Sequence, residues 1–435
     1  MPKKKTALTI EERLQQALVP AEEQPYEVPE NWVWVRLGAI AEIVTGGTPS
    51  KKHPEYYGGN FPFYKPSDLD QGRLTYDASE YLSEEGKNVS RIIPKNSTAV
   101  CCIGSIGKCG YLMCEGTTNQ QINSAIPKIN SLCLYYYLCT ENFVQDLLSM
   151  ASATTIAIVN KSKMESCAFP LPPLSEQQRI VESIEELFAK LDEAKERLQE
   201  VADSFAVRKA AILHKAFTGE LTKQWRWENG VRDESWEEKK LSEITENQDS
   251  KRIPLSKSQR DNMNRIYDYY GASGIIDKVD DYIFEGKKLL IGEDGANLVT
   301  RSKDIAFIAD GKYWVNNHAH ILDVKDTVLL MYLCNYVNNM DLIPYVTGSA
   351  QPKLTQAKMN NIKIFLPTLP EQHEIVRLID DLLARERAAQ QAAEQALASI
   401  DLMKKSILAR AFRGELGTNK ASEASALELL RQVLS

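Results

Sequence analysis

The chain has 435 residues, 43% hydrophobic and 26% charged, with 52 Lys and Arg against 59 Asp and Glu for a net charge of −7. That length and apolar content support two or more domains with real cores and exclude a collagen-like or disordered chain. The longest apolar run, residues 132–139, is too short to span a bilayer, and no apolar stretch follows the basic residues at 3–5. No signal peptide is therefore expected, and the chain reads as soluble and cytoplasmic.

In chain order, Thr9 and Glu12 stand at capping-box spacing ahead of Leu14 and Leu18, which predicts a short amphipathic helix in an N-terminal arm over 1–25. Residues 26–170 form the first predicted domain. Short apolar runs such as 97–104 are bounded by Gly and Pro and read as strands, and Asn- and Gly-rich loops separate them. Six of the eight cysteines lie within 101–139 without C-x-x-C or His spacing, so they read as buried reduced thiols. Its polar loops carry candidate nucleic-acid contacts: Lys51, Lys52, Tyr64, Lys65, Arg73, Arg91, Lys108, Asn119 and Gln120. Basic side chains neutralise phosphates, and amides can pair with a base edge.

Residues 171–230 then open with a Pro-rich stretch and a predicted long helix. Its apolar positions Ile180, Ile184, Leu187, Leu191, Ala194, Leu198, Val201 and Phe205 follow 4-3 spacing, a heptad seam. The second predicted domain, 231–366, repeats the strand-and-loop pattern, with a strand expected over 288–292. It offers Lys251, Arg252, Lys257, Arg260, Arg265, Arg301, Lys303, Asn316 and Asn317 as candidate contacts. Residues 367–435 hold a second long helix and a tail helix near 426–434.

The chain repeats itself at an offset of 195. Leu171-Pro172, Glu176-Gln177, Ile180-Val181 and Ile184 return as Leu366-Pro367, Glu371-Gln372, Ile375-Val376 and Ile379. The far ends match more tightly, with Ala216-Phe217 and Gly219-Glu220-Leu221 returning as Ala411-Phe412 and Gly414-Glu415-Leu416. The second seam runs through Ile375, Ile379 and Leu382 and is interrupted at Glu386, where an exposed turn is expected. Each helix covers about 40 residues, roughly 60 Å. Pairing of the two copies is the simplest way to bury both seams. An antiparallel coiled coil would relate the halves by a pseudo-twofold axis and set a spacing between the domains. The fold class is thus α+β: two α/β-type domains separated by two long helices.

Catalytic signatures are missing. There is no phosphate-binding G-x-x-x-x-G-K-[ST], no Asn-Pro-Pro-Tyr/Phe segment and no metal-ligand spacing among the five His, so neither a catalytic nor a metal site is expected. The His318 and His320 pair reads as structural.

On its motifs the chain resembles the specificity (S) subunits of Type I restriction-modification systems. The resemblance rests on Val28-Pro29-Glu30-Asn31-Trp32, Phe63-Tyr64-Lys65-Pro66-Ser67-Asp68-Leu69, the 170–181 segment, Ala216-Phe217-Thr218-Gly219-Glu220-Leu221-Thr222 and the duplication itself, together covering about 26–416. It implies a non-catalytic subunit whose two target-recognition domains each read half of a bipartite, asymmetric site in double-stranded DNA. The helix pair fixes the unread gap. The implied partners are two methyltransferase (M) subunits that use S-adenosylmethionine, and restriction (R) subunits using ATP and Mg where the system has them. No cofactor is implied for this chain itself. Scaffold positions carry over: Trp32, Trp236, both Gly-Glu-Leu ends and the seams. Base contacts do not. Read from the residues alone, a protein–protein adaptor with two binding domains on a helical spacer is the alternative.

Overall fold

A computed structural model describes residues 9–152, 157–348 and 350–435. The basic residues at 3–5 lie outside them. Contacts gather the chain into two compact units, one of residues 1–197 with 396–435 and one of residues 198–395.

In the first unit, Val33–Arg36 pairs antiparallel with Ala168–Leu171, so the start and end of the domain are tied at one ribbon. A four-stranded antiparallel sheet follows in the order Ala41–Thr45, Ile122–Pro127, Thr98–Cys101, Cys109–Tyr111. A smaller sheet runs Glu80–Leu82, Tyr57–Tyr64, Thr117–Thr118, its last pair parallel. The strand at 98–101 is buried throughout because its two faces serve two cores. Val100 faces the helices, with Leu134, Phe143 and Phe169, whereas Ala99 and Cys101 face Tyr64, Leu69 and Ile122. Alternation along a pleated strand requires that split.

The second unit has the same plan. Glu237–Lys240 pairs with Lys363–Leu366, and the larger sheet runs Glu246–Asn247, Ala319–Asp323, Lys288–Gly292, Ala306–Ala309. The smaller sheet runs Gly274–Val279, Tyr267–Gly271, Lys312–Val315, Phe284–Glu285, again with one parallel pair. Leu289 and Ile291 face one core and Leu290 the other. The strand expected at 288–292 is present with those bounds.

The long helices differ from each other. The first spans Leu174–Asp203 and stops at Ser204 before a second piece, Phe205–Phe217. The second runs unbroken over the 43 residues Leu369–Ala411. The turn expected at Glu386 is absent: the helix continues, and Glu386 accepts from Arg208 Nε at 2.6 Å. A charged residue in a seam position is tolerated where a facing arginine neutralises it.

The seams also do more than pair helices. Ile180 and Ile184 are buried in the core of the first domain, and Ile375 and Ile379 in that of the second. Leu382 is half-buried while its neighbour Leu383 takes the core position. Further along, Leu187, Leu191 and Leu198 are only half-buried and Val201 is exposed. Helix pairing is visible within each unit. In the first, Lys404 reaches Asp192 and lies 5.1 Å from the Phe188 ring, while Arg179 reaches Glu423. In the second, Arg208 meets Glu386 while Arg226 meets Glu371. In both, partner numbers fall as helix numbers rise, so the strips run antiparallel.

The repeated Glu176 and Glu371 close each unit. Both are fully buried. Glu176 accepts from Trp32 Nε1 at 2.8 Å, Asn419 Nδ2 at 2.8 Å and Thr418 Oγ1 at 3.1 Å. Glu371 accepts from Thr222 Oγ1 and Arg226, each at 2.7 Å. Each helix start is thereby pinned by the residues just past a Gly-Glu-Leu motif. The arm helix Ile10–Ala17 has its capping box, and it packs on the tail helix Ala426–Leu434, with Arg13 donating to Leu434 O. No helix among the described residues is long and apolar enough to cross a membrane.

Candidate nucleic-acid interface

In both domains the larger sheet ends at a cluster of loops held by the same hydrogen bonds. In the first, Asn119 N–H donates to Tyr64 O, and the buried Asn119 side chain accepts from Gln121 N–H at 3.1 Å. In the second, Asn316 N–H donates to Tyr270 O, and the buried Asn316 side chain accepts from His318 N–H at 2.8 Å. The adjoining loop matches too. Ile103 and Ser152 both bridge to Ile158, and Asp294 and Thr347 both bridge to Lys353. Gly104 and Gly295 make the turns, at φ of 80° and 106°.

Several predicted residues come together at these ends. In the first domain the loop carrying Lys51 and Lys52 packs on the Asn119 turn, because Gly47 N–H donates to Thr118 O and Thr48 Oγ1 bonds Gln120 Oε1. The exposed Arg91 donates to Thr45 O at the root of that loop. Lys51, Lys52, Arg91 and Gln120 are exposed there. In the second domain Lys251 and Asn317 are exposed at the matching end. His318 and Lys353, each with a half-exposed side chain, lie beside them. Lys353 was not singled out from the sequence. Its isolated position in a loop carries no signal until the bridge to Asp294 places it.

Other predicted residues are placed elsewhere or committed to structure. Tyr64 is fully buried, its hydroxyl donating to Tyr76 O. Lys65 pairs with Glu80 and Lys108 with Asp70. Arg73 lies 4.9 Å over the Tyr111 ring and holds Glu185 on the long helix. Asn119 and Asn316 are turn anchors, as above. Arg260 lies over the Tyr269 ring and is paired with Asp277, whose hydrogen bond raises the guanidinium pKa and lowers the carboxyl's. Arg301 donates to the carbonyls of Val337, Asn338 and Met340 at the end of the helix Thr327–Asn339, and burial lowers its pKa. Lys257, Arg265 and Lys303 are exposed but away from the two Asn-anchored turns in the hydrogen-bond pattern.

Beneath each loop cluster lies a polar site at matching sheet register, since Asn123 opposes Val100 and His320 opposes Ile291. In the first domain it is neutral: Thr45 Oγ1 donates to Asn123 Oδ1 at 2.7 Å, and Asn123 Nδ2 donates to Val159 O. In the second it is charged. Buried His320 faces Asp249 Oδ2 at 2.5 Å through Nδ1 and Leu354 O at 2.7 Å through Nε2. Arg252 NH1 donates to Glu293 at 2.8 Å and also to Ala319 O. Lys353 approaches Glu293 at 3.2 Å. Burial raises the pKa of Asp249 and Glu293, but His320 and Arg252 outweigh it and hold both carboxyls below their ordinary values. Arg252 is therefore a strut of this network. No cluster of His, Cys, Asp and Glu among the described residues has the geometry to hold a metal.

The arrangement presents two polar, loop-built ends with exposed amides and cations on rigid sheets, a surface suited to reading an extended polar ligand. Comparison with known proteins identifies the family. Residues 29–203 and 233–396 each match the family model described as the Type I restriction modification DNA specificity domain. The chain is 34% identical over 162 residues to the EcoR124I/EcoR124II specificity subunit of Escherichia coli, 35% of this chain and 40% of that one. It is 25% identical to the EcoDI specificity subunit of Escherichia coli over 90% of both chains. Two more relatives match at 40% and 34% identity, over 37% and 29% of their own length, so the more identical matches span well under half of each relative. Among solved structures, the HsdS subunit from Thermoanaerobacter tengcongensis matches with a TM-score of 0.64 at 18% identity, over 91% of this chain and 100% of that chain. A chain from work on complex assembly and conformational transition of the type I R-M system matches at 0.66 and 18%, over 90% and 100%. At that identity the likeness is one of fold.

Proposed function

The chain belongs to the Type I restriction-modification DNA specificity family, and from that premise we propose that it is the DNA-recognition subunit of a Type I complex. Each domain reads one half of a bipartite, asymmetric site in double-stranded DNA. The helical stretches set the unread gap and dock two methyltransferase subunits. The observation that carries this reading is the same loop-bearing domain present twice on one chain, with different exposed side chains at equivalent places: Gln120 against Asn317, and Ile158 against Lys353. Two copies of one reader with unlike faces suit an asymmetric split target. S-adenosylmethionine would belong to the methyltransferase subunits, and ATP with Mg to restriction subunits where present. The chain itself supplies binding and orientation, acts in the cytoplasm and turns over nothing alone.

The net charge of −7 is compatible with this role if the partner subunits contribute much of the phosphate neutralisation. The test is fluorescence anisotropy of labelled duplex with the purified chain, alone and with the methyltransferase subunits, across a salt series. Steeply salt-dependent binding with sequence discrimination in the complex is expected. Salt-independent binding, or none in either state, would favour the adaptor reading.

A further inference from the structure

Two side chains hold the same place in the two domains. Gln120 and Asn317 each follow a buried asparagine that locks a two-residue turn, and each is thrust outward at the tip. The anchors cannot reach a ligand: Asn119 and Asn316 are 8% and 5% exposed, and their side-chain oxygens accept the i+2 backbone N–H. The tips can. Fixed through Asn119 to Tyr64 O and through Asn316 to Tyr270 O, each tip rides on the parallel strand pair of its smaller sheet.

From this we infer that Gln120 and Asn317 are the equivalent base-reading positions of the two domains, one for each half-site, while Asn119 and Asn316 only position them. The inference rests on the DNA-recognition reading above. An amide is the side chain that pairs with adenine through N6 and N7 in the major groove. The two tips differ in how they are held. Thr48 Oγ1 donates to Gln120 Oε1, which fixes the amide while one lone pair of Oε1 and the NH2 carry no hydrogen bond among the described residues. Asn317 makes no hydrogen bond among the described residues, so its whole amide edge is available. Exposed cations adjoin each tip, Lys51, Lys52 and Arg91 at one and Lys251 and the half-exposed Lys353 at the other, the side-chain type that neutralises phosphates.

The experiment is selection from a randomised duplex DNA pool by the full chain in complex with its methyltransferase subunits. Wild type is compared with Gln120→Ala, Gln120→Glu and Asn317→Ala. The expected result is a split consensus for wild type. Gln120→Ala should relax one position of one half and Asn317→Ala one position of the other half, each by roughly 5- to 150-fold in discrimination. Gln120→Glu should move its position toward cytosine, because a carboxylate accepts from the cytosine N4 amine. If the variants select the wild-type consensus at unchanged stringency, or both act on the same half, the assignment is overturned while the recognition role stands. If wild type selects no split sequence, the recognition role fails and this assignment falls with it.

Discussion

The two domains share the strand order of the larger sheet, turn geometry and the pinned helix start, yet they stabilise their loop ends by opposite means. The first uses a neutral hydrogen bond, Thr45 with Asn123, beneath the backbone bridge of Ile103 to Ile158. The second uses charge, with Asp249, Arg252, Glu293 and His320 linked below the surface and the half-exposed Lys353 reaching Glu293 from outside. A shared backbone thus tolerates wholesale replacement of the groups beneath its loops, provided that buried polar atoms stay paired. That tolerance is what a recognition domain needs, since the faces can change while the scaffold persists.

The contrast breaks most readily at Glu293. Glu293→Ala leaves Arg252 and His320 short of a carboxylate in a largely buried site, which should cost the second unit about 3–5 kcal/mol. Urea titration followed by hydrogen exchange should show early opening confined to 198–395. Equal opening of both units would contradict the division. Acid sharpens the same point. Asp249 and Glu293 have folded-state pKa values below their unfolded ones, so their stabilisation is full above the unfolded value near ~4 and is lost as pH falls through the folded values. Exchange measured from pH 7 to 3 should show strands 288–292 and 319–323 losing protection before strands 98–101 and 122–127, where burial pushes the Cys102 thiol beside Asn123 up to about 12, far above this range.

A smaller effect is expected at Gly46. A Cβ there would stand 2.2 Å from Asn119 O and 2.3 Å from Thr118 O, both backbone atoms. Gly46→Ala should therefore displace the Asn119 turn and cost the first unit about 1–3 kcal/mol. Thermal unfolding would report the cost, and DNA selection should lose one half-site with the other intact. Smallest of all is Lys251→Ala, with a stability change within about 0.5 kcal/mol. It should reduce the salt slope of DNA binding by about 1, whereas Arg252→Ala should act mainly on stability. A reversed pattern would return Arg252 to the footprint.

Much of the scaffold was legible in the sequence. The duplicated helix segments, the strand at 288–292 and the tail helix all carry local signals, in heptad spacing, Gly and Pro boundaries and capping residues. Periodicity shows which face of a helix is buried but not what covers it. For that reason Ile180 and Ile375 read only as helix seam, although the cores that enclose them join domain residues to Leu408, Ala411 and Phe412 in one unit and to Leu213 and Ala216 in the other. Glu386 looked like a break because its partner Arg208 lies 178 residues away. The same blindness affects the candidate contacts. An arginine in a loop looks available until its carboxylate or carbonyl partners appear, and Glu185 for Arg73, Glu293 for Arg252 and the 337–340 carbonyls for Arg301 lie 112, 41 and 36 to 39 residues distant. Exposed lysines and amides depend less on distant partners, and Lys51, Lys52, Gln120, Lys251 and Asn317 are exposed in the structure as their loop positions suggest.

DNA recognition by this chain is tested most directly by long-read mapping of methyladenine in cells that carry this gene and its neighbouring methyltransferase gene, against cells lacking only this one. It predicts a split, asymmetric motif that is methylated in the first and absent in the second. A methylation map unchanged by the deletion, with both proteins expressed in the parent, would contradict it.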